Sequence, residues 1–191
     1  MIETIKQWDE ELFLQLNAHH LDWLDPIMYQ ATQTITWVPL YLFLIYKIYR
    51  LDPQNSWWVF GGIAITILIA DQVSSGFMKP FFERLRPCHD SRWDELIHNY
   101  ERCGGLYGFV SSHAANTFGL AVFLNRKLKG KMKGLVWLYL YAAFVSYTRV
   151  YLGVHYPMDI VMGALVGVAA AWISWFLIVF VKREILKKVL K

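Results

Sequence analysis

From Ile160 to Val181 the chain runs for 22 residues without a charge. As a helix this stretch is about 33 Å long, enough to cross a hydrocarbon core of about 30 Å. It has no polar face to offer water, so the core helix of a soluble bundle is a poor account of it. Other uncharged blocks repeat the pattern: Pro26–Tyr46, Ser56–Ala70 (followed after Asp71 by Gln72–Met78), Ala114–Asn125 and Gly134–Thr148. Five spans are expected, at about 26–48, 57–78, 110–127, 133–151 and 157–181, the third having the shortest apolar part. Charged residues make up only 18% of the chain, against about 25% in an ordinary soluble domain. That balance excludes a disordered chain, a nucleic-acid tail protein and a disulfide-dense mini-protein. The expected fold is all-α, a polytopic membrane helical bundle forming one domain over residues 1–191.

The first twenty residues carry Glu3, Lys6, Asp9, Glu10 and Glu11 and lack the basic start and small-residue cleavage site of a signal peptide. Ile2, Ile5, Trp8, Leu12, Leu14 and Leu16 follow part of a helical stripe. Residues 1–22 are therefore expected to form an interfacial amphipathic helix, with a plain cap packed on the loops as the alternative. Charge gives the orientation. Lys47, Arg50, Arg126, Lys127, Lys129, Lys131, Lys133, Lys182, Arg183, Lys187, Lys188 and Lys191 fall on one side of the five spans, opposed there by Asp52 and Glu184. Basic residues near span ends favour the cytoplasm, which turns the 79–110 loop to the periplasm or exterior of a cell (inner) membrane. The Arg126–Lys133 cluster flanks spans, and no nucleic-acid partner is read from it.

The outward side collects the chemistry. Lys79 ends the second span and is followed by Arg84 and Arg86-Pro87; Val110-Ser111-Ser112-His113 opens the third; Thr148-Arg149 closes the fourth; His155 and Asp159 open the fifth around Pro157. Lys79, Arg86 and Arg149 can neutralise phosphate oxygens, Arg with a planar fork of donors. Backbone N–H groups at Ser111, Ser112 and His113 suit an anion at a helix N-terminus. A neutral His155 can act as a nucleophile, its ordinary pKa being about 6.5. Asp159, one turn on, can hold the other ring nitrogen protonated, and His113 can donate a proton to a leaving oxygen. This is an inventory for binding a phosphate and breaking its ester bond.

These residues resemble the type 2 phosphatidic acid phosphatase superfamily, membrane lipid phosphatases that share a site with vanadium haloperoxidases. The family pattern is Lys, six residues, Arg-Pro; then Pro-Ser-Gly-His; then Ser-Arg, five residues, His, three residues, Asp. Lys79 and Arg86-Pro87 fit the first part in full. The second is met with Val110 for Pro and Ser112 for Gly, and the third with Thr148 for Ser. The resemblance covers about residues 60–165 and implies a metal-independent phosphatase with a phospho-histidine intermediate and no cofactor. It implies that Lys79, Arg86, Ser111, Ser112 and Arg149 bind phosphate, His155 attacks, Asp159 supports it and His113 is the acid. The substrate expected is a lipid phosphate or diphosphate, undecaprenyl diphosphate first. Phosphatidylglycerophosphate, phosphatidic acid and lipid A phosphates remain open. Two other readings are a vanadate-dependent haloperoxidase, disfavoured by the spans, and a non-enzymatic lipid-binding or transport protein, disfavoured by the intact motifs.

Four further residue types invite a role. Arg84 can contact a headgroup or be a solvated loop charge. Asp71, inside the second span, is expected to partner a hydroxyl or a cation near the site. His89 and His19-His20 read as loop residues. Cys88 and Cys103 can pair across the loop on an oxidising face, stabilising it by about 3 kcal/mol, or remain free thiols; a metal site with His89 lacks ligands in good spacing.

Overall fold

The computed structural model describes residues 2–100 and 103–189; Met1, Glu101, Arg102, Leu190 and Lys191 of the basic tail lie outside the described residues. In chain order the helices are α1 (Ile2–Ala18), α2 (Asp25–Thr32), α3 (Val38–Leu51), α4 (Ser56–Asp71), α5 (Lys79–Phe82), α6 (Ser112–Lys127), α7 (Trp137–Tyr151) and α8 (Pro157–Val189). Among the described residues there is no strand, only an isolated bridge between Leu85 and Tyr107. The all-α expectation stands.

Two helices are long and apolar enough to cross a bilayer: Ser56–Phe82, in which a π-helical stretch (Gln72–Met78) joins α4 to α5, and Pro157–Lys188 within α8. Only 28% of the most apolar window in each is buried in protein. Trp57 is 77% exposed and Phe180 63%. A contiguous apolar surface of this kind requires lipid or another apolar cover. The helices α3, α6 and α7 have 14, 16 and 15 residues. Each reaches about 21–24 Å, short of a full hydrocarbon core.

The apolar block expected to be one span over 26–48 is broken instead. Helix α2 stops at Thr32, a 3₁₀ turn covers Thr34–Trp37, and α3 begins with Pro39 in its first turn. A proline has no N–H to give a preceding turn and fits the start of a helix. The carbonyls left at the end of α2 are satisfied locally: Thr36 Oγ1 donates to Gln30 O at 2.6 Å and Trp37 Nε1 to Ala31 O at 2.7 Å.

Helix α6 lies at the centre, packed on α4, α7 and above all α8. Its buried face is Ala114, Ala115, Ala121, Phe123 and Leu124. The contact with α8 is close because glycines meet there. A Cβ at Gly163 would strike the Ser111 carbonyl, and one at Gly167 the Ala115 carbonyl. Small residues four apart let helix backbones approach where lipid supplies no hydrophobic drive between helices. The result fixes the start of α6 against the start of α8, and Ser111 N–H donates to Asp159 O at 3.0 Å.

Helix α1 turns Asp9, Phe13 and Asn17 inward, one turn apart, and leaves Ile5, Trp8 and Leu12 exposed. Asn17 Nδ2 donates to the carbonyls of His98, Val150 and Tyr151, and its Oδ1 accepts from His98 N–H. Much of the apolar stripe read from the sequence thus faces away from the protein, while a mixed polar row docks the helix.

Replacing Gly167 with Leu is expected to cost about 1–3 kcal/mol, because the side chain has backbone against it and nowhere to move. Thermal unfolding in detergent micelles should show a lower Tm for Gly167→Leu and no loss for Gly61→Ala, where only Ile178 Cδ1 comes near, at 3.9 Å.

Candidate active site

Three segments converge where α4–α5 ends and α6 and α8 begin. The π-helical turn delivers Lys79, whose Nζ donates to Ser112 Oγ at 2.9 Å. Ser75, one turn earlier, places its Oγ 2.7 Å from Ser112 Oγ and donates to Asp71 Oδ1 at 3.4 Å. Asp71 therefore partners a hydroxyl near the site. Ser111 caps α6 in an extended conformation, with no side-chain cap bond. Its buried Oγ has no hydrogen-bond partner. The first N–H groups of a helix have no acceptor within it, so this end presents donors.

After α5 the chain reverses at Glu83, whose φ of 48° is left-handed. Residues 84–86 and 106–108 then run as a short antiparallel pair: Arg86 N–H donates to Leu106 O at 3.1 Å and Gly108 N–H to Arg84 O at 2.8 Å. The Cys88–Cys103 disulfide closes this pair, with Cα atoms 5.9 Å apart. Arg86 is aimed by it, Nε donating to Tyr107 O at 3.2 Å and Nη1 to Cys103 O at 2.9 Å. His89 reaches Gly104 O, within the loop.

Arg149 ends α7 and donates from Nη1 to Thr32 Oγ1 at 2.7 Å; its buried Nε has no partner. The chain then curls at Gly153 (φ 73°), where a Cβ would lie 2.6 Å from His98 O. His155 N–H returns to Arg149 O at 3.2 Å. His155 is 1% exposed and Asp159 0%. Asp159 Oδ2 lies 3.1 Å from His155 Nδ1 and accepts from Tyr156 N–H at 3.0 Å. With Nδ1–H donated to Asp159, Nε2 carries the lone pair. Burial, and then the charges of Arg149, Arg86, Lys79 and Arg84, hold the His155 imidazole well below its usual range, so it is neutral at neutral pH.

Lys79, Arg86 and Arg149 are held by hydroxyl and carbonyl oxygens and form no ion pair among the described residues. Their positive charge stays available for an anion. Arg84 behaves differently. It bridges Asp159 Oδ1 at 3.1 Å and Asp9 Oδ2 at 2.7 Å, and stacks 3.9 Å over Tyr156. Asp9 Oδ1 also accepts from Met158 N–H at 2.7 Å. Arg84 is thus neither a solvated charge nor directed outward. His113 lines two cavities. One, of about 240 Å³, is shared with Arg149, Thr32 and Tyr100. The other, of about 480 Å³, is walled by apolar residues such as Leu44, Ile63, Ile67 and Val145 and has Ser112 and His113 at its polar end.

Three participants were not singled out from the sequence. Asp9 and Thr32 reach the site across long chain separations and leave no local signal. Gly108 is required because a Cβ there would sit 2.9 Å from Asp159 Oδ2 and 3.5 Å from His155 Nδ1. Arg84, expected at a headgroup or in solvent, instead supports Asp159; it is two residues before Arg86 in an extended run, which puts both on one face.

Residues 55–183 match the PAP2 superfamily. The chain is 36% identical over 184 residues to a lipid A 4'-phosphatase of Bacteroides thetaiotaomicron, covering 93% of this chain and 80% of that protein. It is also 36% identical over 169 residues to a lipid A 4'-phosphatase of Porphyromonas gingivalis, covering 87% and 71%. Among solved structures it is similar to Aquifex aeolicus LpxE, with a TM-score of 0.63, 27% identity, and 86% and 93% of the two chains covered. A transmembrane PAP2 type phosphatidylglycerolphosphate phosphatase from Bacillus subtilis shares the fold, with a TM-score of 0.63, 20% identity, and 95% and 88% covered.

The His155 geometry makes a pH prediction. An imidazole whose folded pKa is depressed takes up its proton more readily when unfolded. Stability is therefore full above the unfolded value of about 6.5 and declines as pH falls below it. Nitrogen-15 NMR of histidine-labelled protein should show His155 neutral at pH 6, and a His155 signal half-protonated near 6.5 would contradict the assignment.

Proposed function

The chain belongs to the PAP2 superfamily and is a lipid phosphatase, and we propose that it removes a phosphate from a lipid A-type phosphomonoester through a covalent phospho-His155 intermediate. The substrate reading is supported by the two lipid A 4'-phosphatases, each 36% identical over most of both chains. The mechanism rests on one observation, a buried His155–Asp159 pair surrounded by cations that lack carboxylate partners. Undecaprenyl diphosphate, expected first from the sequence, has no support beyond the family itself and becomes a comparison substrate.

In this mechanism Lys79, Arg86, Arg149 and the start of α6 at Ser111 and Ser112 hold the phosphate oxygens. His155 Nε2 attacks phosphorus, forming the N–P bond as the P–O bond to the lipid breaks. His113 gives its proton to the departing oxygen. Water then attacks phosphorus, His113 accepts its proton, the N–P bond breaks and inorganic phosphate leaves. The apolar cavity beyond Ser112 and His113 receives part of the lipid. The helices α3, α4–α5, α6, α7 and α8 cross an inner membrane together, α1 lies at its surface, and the site faces outward, the basic ends of α6 and α8 lying on the cytoplasmic side.

Phosphate release by purified protein should be fastest on lipid A among lipid A, phosphatidylglycerophosphate, phosphatidic acid and undecaprenyl diphosphate. A clear preference for another member of the panel would overturn the substrate. His155→Ala should abolish turnover and acid-labile labelling by a phosphorus-32 substrate, whereas wild-type turnover by that variant would sink the mechanism. His113→Ala should hurt aryl phosphates with good leaving groups less than lipid substrates. Arg84→Met, which removes a charged hydrogen bond to Asp159, should cost about 2 kcal/mol, about 30-fold in kcat with little change in KM.

A further inference from the structure

We propose that the cleft between the end of α6, the 128–136 loop and the middle of α8 binds the phosphate headgroup of an anionic phospholipid. This site is at the opposite end of α6 from the candidate active site. Its centre is Arg126. The guanidinium carbon lies 3.8 Å from the ring centroids of both Trp172 and Trp175, whose planes are 75° apart, so the cation sits in the corner between two indoles. The ring contacts fix the position of the guanidinium and, being made to π-faces, leave N–H donors of the fork unoccupied. The Arg126 Nε is buried without a hydrogen-bond partner, and the guanidinium forms no ion pair among the described residues.

Depth makes that state costly. Trp172 and Trp175 belong to the uncharged run of α8, and Lys182 is the next charge toward the C-terminus. Arg126 therefore sits about 10 Å along α8 inside its basic end. An ionised side chain in an apolar layer takes a partner or marks a binding site. The space beside it is a cavity of about 810 Å³. Its walls include Val122, Val136, Tyr139 and Val168, apolar enough for an acyl chain, while Lys129 and the backbone at Gly130 supply polar contacts at the rim. The acids at this end are already engaged: Asp52 with Lys131 and Glu184 with Lys187. Basic pockets between spans suit anionic headgroups, and here charge, shape and an unfilled fork coincide.

The test uses the purified chain in dodecyl maltoside with dioleoyl phosphatidylglycerol as the probe. Dioleoyl phosphatidylcholine and glycerol 3-phosphate serve as the neutral-lipid and free-phosphate arms. Phosphatidylglycerol should raise Tm saturably, and its brominated-chain form should quench tryptophan fluorescence over the same concentration range. Arg126→Gln should weaken half-saturation about 10-fold or more, and the exposed Lys129→Gln about 3-fold. Arg126→Lys, which keeps the charge but loses the planar fork, should fall between wild type and Arg126→Gln. If Arg126→Gln does not fold, the other two variants decide. Arg149→Ala, in the candidate active site, should respond like wild type. Equal stabilisation by phosphatidylcholine or by glycerol 3-phosphate, an unaltered response in Lys129→Gln and Arg126→Lys, or loss of the response in Arg149→Ala would each overturn the proposal.

Discussion

The carboxylate of Asp159 is the point on which the rest of the structure turns. It is fully buried, and a buried charge survives only when its oxygens are satisfied. One oxygen meets His155 Nδ1 and the Tyr156 N–H, the other meets Arg84, and the backbone carbonyl of the same residue accepts from Ser111. The imidazole, the loop after α7, the paired arms of the long loop and the start of α6 are therefore registered to one residue. Through Arg84 and Asp9 the register extends to α1. The N-terminal helix is tied to the site by charge, although its own apolar residues Trp8 and Leu12 point elsewhere.

Around that hub the charges are sorted. Arg84 is spent on carboxylates, while Lys79, Arg86 and Arg149 are oriented by oxygens that carry no formal charge. A neutral acceptor fixes direction without cancelling the field. Burial, and then the same field, keep His155 unprotonated. The site thus combines strong positive potential and a free lone pair in one place, a combination that would conflict if the imidazole were exposed.

What could be read from the sequence was what is local or periodic. The apolar run of α8 stands as a single helix, and the three motifs, each contiguous and at a helix boundary, meet at one end of the bundle. The Cys88–Cys103 pairing was one of two open readings of the loop, and the π-helical delivery of Lys79 belongs to a different class, because helical register depends on tertiary closure. So does the break between α2 and α3. Pro39 marked it, but composition alone reads the block as continuous. Asp9 and Thr32 were hidden for the plainest reason: a polar residue docking across more than a hundred positions has no spacing rule. Gly108 shows its purpose only once Asp159 stands beside it.

The joint between α2 and α3 has a mechanical consequence. Thr34 and Trp37 form part of the wall of the apolar cavity, and Thr32, at the head of the same joint, is the oxygen that steadies Arg149. On the far side of the cavity, α6 and α8 are locked glycine to backbone and yield little. The wall opposite, from Thr32 to Trp37, thus also carries the acceptor that orients Arg149. One short turn of chain therefore serves both the hydrophobic space and the guanidinium at its polar end, so a single substitution there touches both.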